Sequence, residues 1–243
     1  MMYLTLRISI IFLILMLVWQ GIVTLGVPFY LLPAPEQVAA AFVSQFNVIL
    51  VQAIPTIIET LLGFILGILF GCSAALMIVF FRPLKHWFLP ILIISQAIPT
   101  FAIAPLLILW FGYGITSKII VTILMIFFPI TSAFYDGLTT VNPGWIHLAK
   151  IMNAKKWRLF WYIRIPAALP SLASGIRIAA VIAPIGAIIG EWIGASHGLG
   201  YLMLNANARM QIDMMFASLI VIILLALLLY FSVDKILRVF IWW

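Results

Sequence analysis

Apolar residues run in long stretches along this chain, and the polar residues gather in the gaps between them. A helix needs about 20 predominantly apolar residues to cross the hydrocarbon of a bilayer. Six stretches meet or approach that length: 8–25, 54–80, 87–110, 119–134, 172–193 and 214–237. The pattern predicts an all-α integral membrane protein with six transmembrane helices. The first stretch follows Arg7 and so resembles a signal peptide. It is long enough to span, however, and no small-x-small cleavage site closes it, so it reads as a retained first helix.

What lies between the spans is short. Residues 31–38 (Leu-Leu-Pro-Ala-Pro-Glu-Gln-Val) form an extended entry to a helix, with Pro35 and Glu36 suited to its first turn. The amphipathic stretch up to Phe46 is expected along the outer membrane surface. Residues 194–213, rich in Gly, Asn and Ser, are expected to be irregular or a short helix. The longest cytoplasmic piece is 135–171. No internal repeat and no separate soluble domain is visible, so residues 1–243 read as a single transmembrane domain.

Composition supports this reading. Of 243 residues, 66% are hydrophobic and 8% charged. A soluble chain carries about 25% charged residues. Lipid must therefore take the place of core. The formal charge of +7 does not point to nucleic acid, because the basic residues sit in short loops. Arg7, Arg82, Lys85, Lys150, Lys155, Lys156, Arg158, Arg164, Lys235 and Arg238 fall on one side, and Lys118 and Arg209 on the other. The positive-inside rule places the basic side and both termini in the cytoplasm. Arg177, near the cytoplasmic end of the fifth span, is placed to snorkel. Cys72 is the one cysteine, so no disulfide framework exists, and it reads as a small apolar side chain.

Within the spans, Gly63, Gly67 and Gly71 recur at a spacing of four, as do Gly186, Gly190 and Gly194. Small residues at this spacing let helix backbones approach closely in lipid. Packing within one subunit is the simpler expectation, ahead of a seam between two. Pro90, Pro99 and Pro105 share the third span, which is therefore expected to be bent or broken and to line a translocation path. Pro129 and Pro184 lie within later spans. Glu59 and Glu191 are candidate pathway residues, because charges at membrane depth are costly and are usually functional or paired. Two plainer readings stay open: Glu59 at the headgroup level, and Glu191 tying down the 194–213 loop. Gln96 and Pro99 are further pathway candidates. Tyr113, Tyr201 and the tryptophans near span ends read as interfacial belt residues.

The cytoplasmic segment has its own local signals. Asn142 can cap a helix that has Pro143 at its first position. Ile146, Ala149, Met152 and Asn153 fall on one face of that helix. A second short helix is expected from Lys155 to Ile163, stopped by Pro166. The segment is thus a helix-turn-helix at the membrane surface with basic residues outward. From these residues alone, an anchor touching anionic lipid is an equally open reading.

The spacing in this segment resembles the EAA loop of ABC importer permeases, the binding-protein-dependent transport family. That pattern is Glu-Ala-Ala, three residues, Gly, nine residues, then Ile-x-Leu-Pro. Here His147, Leu148 and Ala149 open it, Asn153 stands at the Gly position, and Ile163-Arg164-Ile165-Pro166 follows nine residues later. Trp157, Phe160, the Pro-Ala-Ala-Leu-Pro run and Ser174-Gly175-Ile176-Arg177 also fit. Two residues depart from the pattern. His147 replaces Glu and removes a negative charge. Asn153 replaces Gly, but Asn tolerates a left-handed turn. The likeness extends along the chain. Residues 31–38, Gln96-Ala97-Ile98-Pro99, 105–112, Gly190-Glu191-Trp192-Ile193-Gly194 and 197–202 are similar to the taurine, nitrate and sulfonate permease group. The Gly-Glu-Trp form and 205–209 are most like hydroxymethylpyrimidine (thiamine precursor) permeases.

The resemblance implies a type I ABC importer permease in the bacterial inner membrane. Two copies would form the pore. Two cytoplasmic ABC ATPase subunits would grip the coupling residues His147, Leu148, Ala149, Met152, Asn153, Ala154, Ile163 and Pro166. A periplasmic or lipid-anchored binding protein would deliver substrate. No cofactor, metal or catalytic residue is implied, and the chain has no Gly-x-x-x-x-Gly-Lys-Ser/Thr phosphate cradle. The implied substrate is a hydroxymethylpyrimidine-type molecule, which the carboxylates of Glu59 and Glu191 suit. The alternative is a sulfonate, taurine or nitrate anion, for which carboxylates are poor neighbours. Other classes find less support. His86, His147 and His197 form no convergent pair for an intramembrane enzyme, and no matching halves suggest a secondary transporter.

Overall fold

The computed structural model describes residues 2–241. The helices run in order α1 (Met2–Thr24), α2 (Pro35–Ser44), α3 (Phe46–Phe80), α4 (Arg82–Ala97), α5 (Thr100–Phe111), α6 (Ile115–Thr139), α7 (Pro143–Ile151), α8 (Lys156–Leu159), α9 (Ile165–Gly194), α10 (Leu199–Ala208) and α11 (Ile212–Phe240). A π-helical turn, Phe160–Arg164, joins α8 to α9. The side chains of Arg82, Lys85 and His86, and Trp242 and Trp243 of the expected aromatic belt, lie outside the described residues.

Among the described residues, α3, α6, α11 and the α8–α9 run Lys156–Gly194 are each long and apolar enough to cross a membrane. Pro90–Ala97 of α4 and Thr100–Phe111 pass the same test only when taken together, and they meet at a bend of 97°, the geometry of a broken span or a re-entrant loop. The apolar part of α1, Ser9–Thr24, is shorter. The bend in the third span has a local cause. Pro99 offers no N–H to continue the helix, and its ring drives the preceding residue out of the α region. Ile98 accordingly adopts φ −85°, ψ 119°.

Helix α6 forms the centre, with α3 on one side and α9 on the other. Its residues Lys118, Thr122, Ile126 and Ile130 make a ladder one turn apart. On α3, a Cβ added at Gly63, Gly67 or Gly71 would collide with Thr122, Ile126 or Ile130 in turn. On α9, a Cβ at Gly186 or Gly190 would collide with Thr122 or Lys118. Thr122 is thus approached by glycines from both sides. Gly194, the last of its series, faces Ile108 of α5 instead. Both glycine series pack helices within one chain, as the sequence predicts. Ile126 and Ile130 of this ladder share one buried cluster with Phe64, Ala179, Ala180 and Ala183.

The second short helix of the 135–171 segment differs from its sequence expectation. Pro166 does not stop a helix. The chain passes from α8 through the π-turn into α9 without a break, and Pro166 occupies the first turn of α9. Pro166 has no N–H to donate to the turn before it, and the hydrogen-bond ladder changes register through the π-turn at this point. In the π-turn the Ile165 N–H reaches back five residues to the Phe160 carbonyl, and such widening takes up an extra residue without breaking the rod.

Candidate coupling groove and pathway residues

The 135–171 segment folds by local rules. The Asn142 side chain accepts the Gly144 N–H at 2.8 Å and caps α7, with Pro143 in the first turn. At the other end Asn153 adopts φ 57°. The Ala154 N–H bonds the Ala149 carbonyl at 2.9 Å, and the Asn153 N–H bonds the Lys150 carbonyl at 3.0 Å. This is a Schellman termination with Asn at the left-handed position that Gly usually fills. The substitution seen in the sequence therefore preserves the turn.

The turn folds α7 back against the start of α9 and leaves a groove of about 840 Å³ between them. Leu148, Ala149, Met152, Asn153, Ala154, Ile163 and Pro166 all line it. His147 is exposed and is not among the lining residues. Large apolar side chains stand open here: Leu148 is 58% exposed, Met152 74%, Tyr162 78% and Ile151 82%. A contiguous exposed apolar patch of this kind marks a contact site for a protein, a membrane surface or a ligand. Aromatic contacts brace its rear. Phe80, at the end of α3, lies 4.4 Å from Phe160 between ring centroids, and Trp157 lies 5.3 Å from Trp161. Lys155, Lys156 and Arg158 are exposed, as expected.

At the outer end of the bundle the two candidate carboxylates are buried, each 1% exposed. Glu59 pairs with Lys118 at 2.8 Å. Glu191 accepts the Thr56 hydroxyl at 2.6 Å and the Gly200 N–H. The Thr56 hydroxyl oxygen in turn accepts the Leu199 N–H at 2.9 Å, and Gln52 accepts the Gly198 N–H at 2.6 Å. Three successive amides at the start of α10 are thus held by side chains of α3 and α9. Glu191 ties down the 194–213 loop, the plainer of its two sequence readings. Glu59 is enclosed within the bundle, and neither carboxylate lines the groove beside α7 or the cavity at the α4–α5 break.

Gln96 is placed differently. With Ser95, Thr100, Met125, Pro129 and Ile182 it lines a cavity of about 200 Å³ beside the α4–α5 break. Pro99 sits exposed at the break itself. Arg177, expected to snorkel, donates instead to Asp234 at 2.7 Å, and Asp234 also accepts from Arg238 at 2.8 Å. Sequence reasoning missed Lys118 and Asp234. The available signal for Lys118 was its position inside the first turn of a span, beside Ser117 and Thr122.

Comparison with known proteins places this geometry. Residues 63–241 match the model of the family described as the binding-protein-dependent transport system inner membrane component. A probable ABC transporter permease protein of Haemophilus influenzae is 50% identical over 230 residues, 94% of each chain. The formylaminopyrimidine transport permease protein ThiX of Halalkalibacterium halodurans is 35% identical over 243 residues, 99% of this chain and 97% of its own. In fold, the chain is similar to one from inward-facing crystals of the MetNI methionine ABC transporter. The TM-score is 0.67 at 20% identity, covering 79% of this chain and 95% of that one. With its buried glycine-packed bundle and its exposed groove beside α7, the chain belongs to the binding-protein-dependent transport system inner membrane component family and is a permease subunit of an ABC importer.

Proposed function

We propose that two copies of this chain form the translocation pathway for a hydroxymethylpyrimidine-type thiamine precursor. Two ABC ATPase subunits drive the cycle from the cytoplasm, and a periplasmic or lipid-anchored binding protein delivers the substrate. Each subunit contributes six spans with both termini in the cytoplasm. The coupling residues are Leu148, Ala149, Met152, Asn153, Ala154, Ile163 and Pro166, with His147 on the adjoining exposed face. One observation carries the coupling role: the residues of the loop pattern converge on a single apolar groove at the cytoplasmic end. The substrate assignment is supported by a relative of matching length that is named for formylaminopyrimidine transport.

Gln96 and Pro99 lie on the pathway in this reading. Glu59 and Glu191 organise its outer end without touching substrate. The test has two arms. An ATPase subunit that co-purifies with the wild-type chain in detergent is expected to be lost on Ala154→Asp, which puts a charge into the apolar groove. Cells producing the complete transporter are expected to accumulate labelled hydroxymethylpyrimidine and not labelled taurine. ATPase retention by the Ala154 variant sinks the coupling assignment. Taurine accumulation without pyrimidine uptake replaces the substrate with a sulfonate.

A further inference from the structure

We propose that the cavity at the α4–α5 break is a substrate-recognition site within the membrane, built for an uncharged planar heterocycle that Gln96 and Thr100 hydrogen-bond. The inference rests on the importer reading above and supplies its substrate chemistry.

Depth is the first observation. Met125 and Pro129 lie near the middle of α6, and Ile182 near the middle of α9. Gln96 and Thr100 are therefore held level with the middle of two apolar helices long enough to span. Gln96 is exposed there, and its amide forms no hydrogen bond among the described residues. An amide left unpaired in an apolar medium costs roughly 2–7 kcal/mol. Contact with lipid tails does not meet that cost, whereas a polar ligand or the water it displaces does.

Charge is the second observation. The side chains around this cavity are hydroxyl, amide or apolar. The buried charged groups of the bundle are committed elsewhere, Lys118 to Glu59 and Glu191 to Thr56 and Gly200, and Arg177 pairs with Asp234. A sulfonate needs a cation or a set of charge-assisted donors to replace its hydration. No lining side chain supplies one. A Gln amide offers a donor and an acceptor side by side. This pattern reads the exocyclic amine and adjacent ring nitrogen of an aminopyrimidine, as Gln does with adenine. Met125, Pro129 and Ile182 give the apolar walls that a flat ring requires.

Access is the third observation. The cavity adjoins the face of α9 that carries Ile178, Val181 and Ile185, exposed by 50%, 44% and 46%. A site on that open face is reachable from a path shared with a second copy.

The test uses the full transporter, with both ATPases and the binding protein, in proteoliposomes. Labelled 4-amino-5-hydroxymethyl-2-methylpyrimidine transport and ATP hydrolysis are measured together. For the pair Gln96→Leu and Thr100→Val, transport per ATP is expected to fall about tenfold or more, the scale of one or two lost hydrogen bonds. Binding-protein-stimulated hydrolysis is expected to persist, whereas a merely structural lesion lowers both. Gln96→Met, close in shape, guards against misfolding and is expected to show the same split. Unchanged transport per ATP in these variants, or competition by excess taurine, overturns the inference. A wild-type transporter that moves no pyrimidine overturns the reading beneath it instead.

Discussion

Lys118 Nζ lies 2.8 Å from Glu59 Oε1, and the two side chains are 3% and 2% exposed. One group comes from the first turn of α6 and the other from the upper half of α3, so the pair fastens these helices where no water screens it. Removing one partner of a buried pair strands a charge and costs about 3–5 kcal/mol, whereas replacing both with apolar groups is often nearly neutral. Lys118→Met alone is expected to lower the thermal midpoint in detergent sharply. Adding Glu59→Leu is expected to recover most of the loss. A double variant no better than the single would show that the pair is not the unit of stability.

Gly67 faces Ile126 too closely for any Cβ. Gly67→Ala is expected to destabilise by about 1–3 kcal/mol, the usual cost of overpacking. Ile126→Ala in the same chain removes the obstructing atoms, so the two changes are expected to be markedly non-additive. Thermal midpoints of the two singles and the double test this.

Asn153 terminates α7 at φ 57°. Gly is at home there, whereas a β-branched residue is strained. Asn153→Gly is expected to keep the ATPase bound at wild-type yield. Asn153→Val is expected to disorder the turn over the groove and reduce the co-purified ATPase several-fold. Quantified pull-downs decide the matter, and equal yields for Gly and Val would disconnect the turn from docking.

Gly198 adopts φ 114°, and a Cβ there would collide with the Glu191 carboxylate. Gly198→Ala is therefore expected to detach the start of α10 from Glu191, Thr56 and Gln52. Ala206, 2% exposed, reports on that helix. In a Cys72→Ala background, a cysteine introduced at 206 is expected to label slowly with a membrane-impermeant thiol reagent. Labelling is expected to accelerate once Gly198→Ala is added. Equal rates would leave α10 anchored by other contacts.

Much of this architecture was legible because it is written in local pattern. Apolar runs mark the helices, the fourfold glycine spacing marks the faces that meet α6, and Pro99 marks the break. The left-handed turn at Asn153 also follows from residue type and position. What escaped depends on pairs far apart in sequence. Lys118 and Glu59 are 59 residues apart, and Glu191 and Thr56 are 135 apart, so no periodicity joins them. A lysine counted as a loop charge proved to be an internal counter-ion for this reason. Pro166 misled for a different reason. A proline ending one helix and a proline in the first turn of the next have the same sequence signature, and only the π-turn distinguishes them.

That π-turn also has a mechanical consequence. Because α8 runs into α9 without interruption, the floor of the groove and the carboxylate that holds α10 belong to one shaft. Its 30-residue α9 portion is about 45 Å long at 1.5 Å per residue. A twist or tilt applied at Ile163 and Pro166 would therefore travel toward Glu191 along one continuous helix, past Pro170 and Pro184, where it can flex. In the proposed reading, movement of a docked ATPase against the groove would be passed along this single shaft to the cap that Glu191 holds.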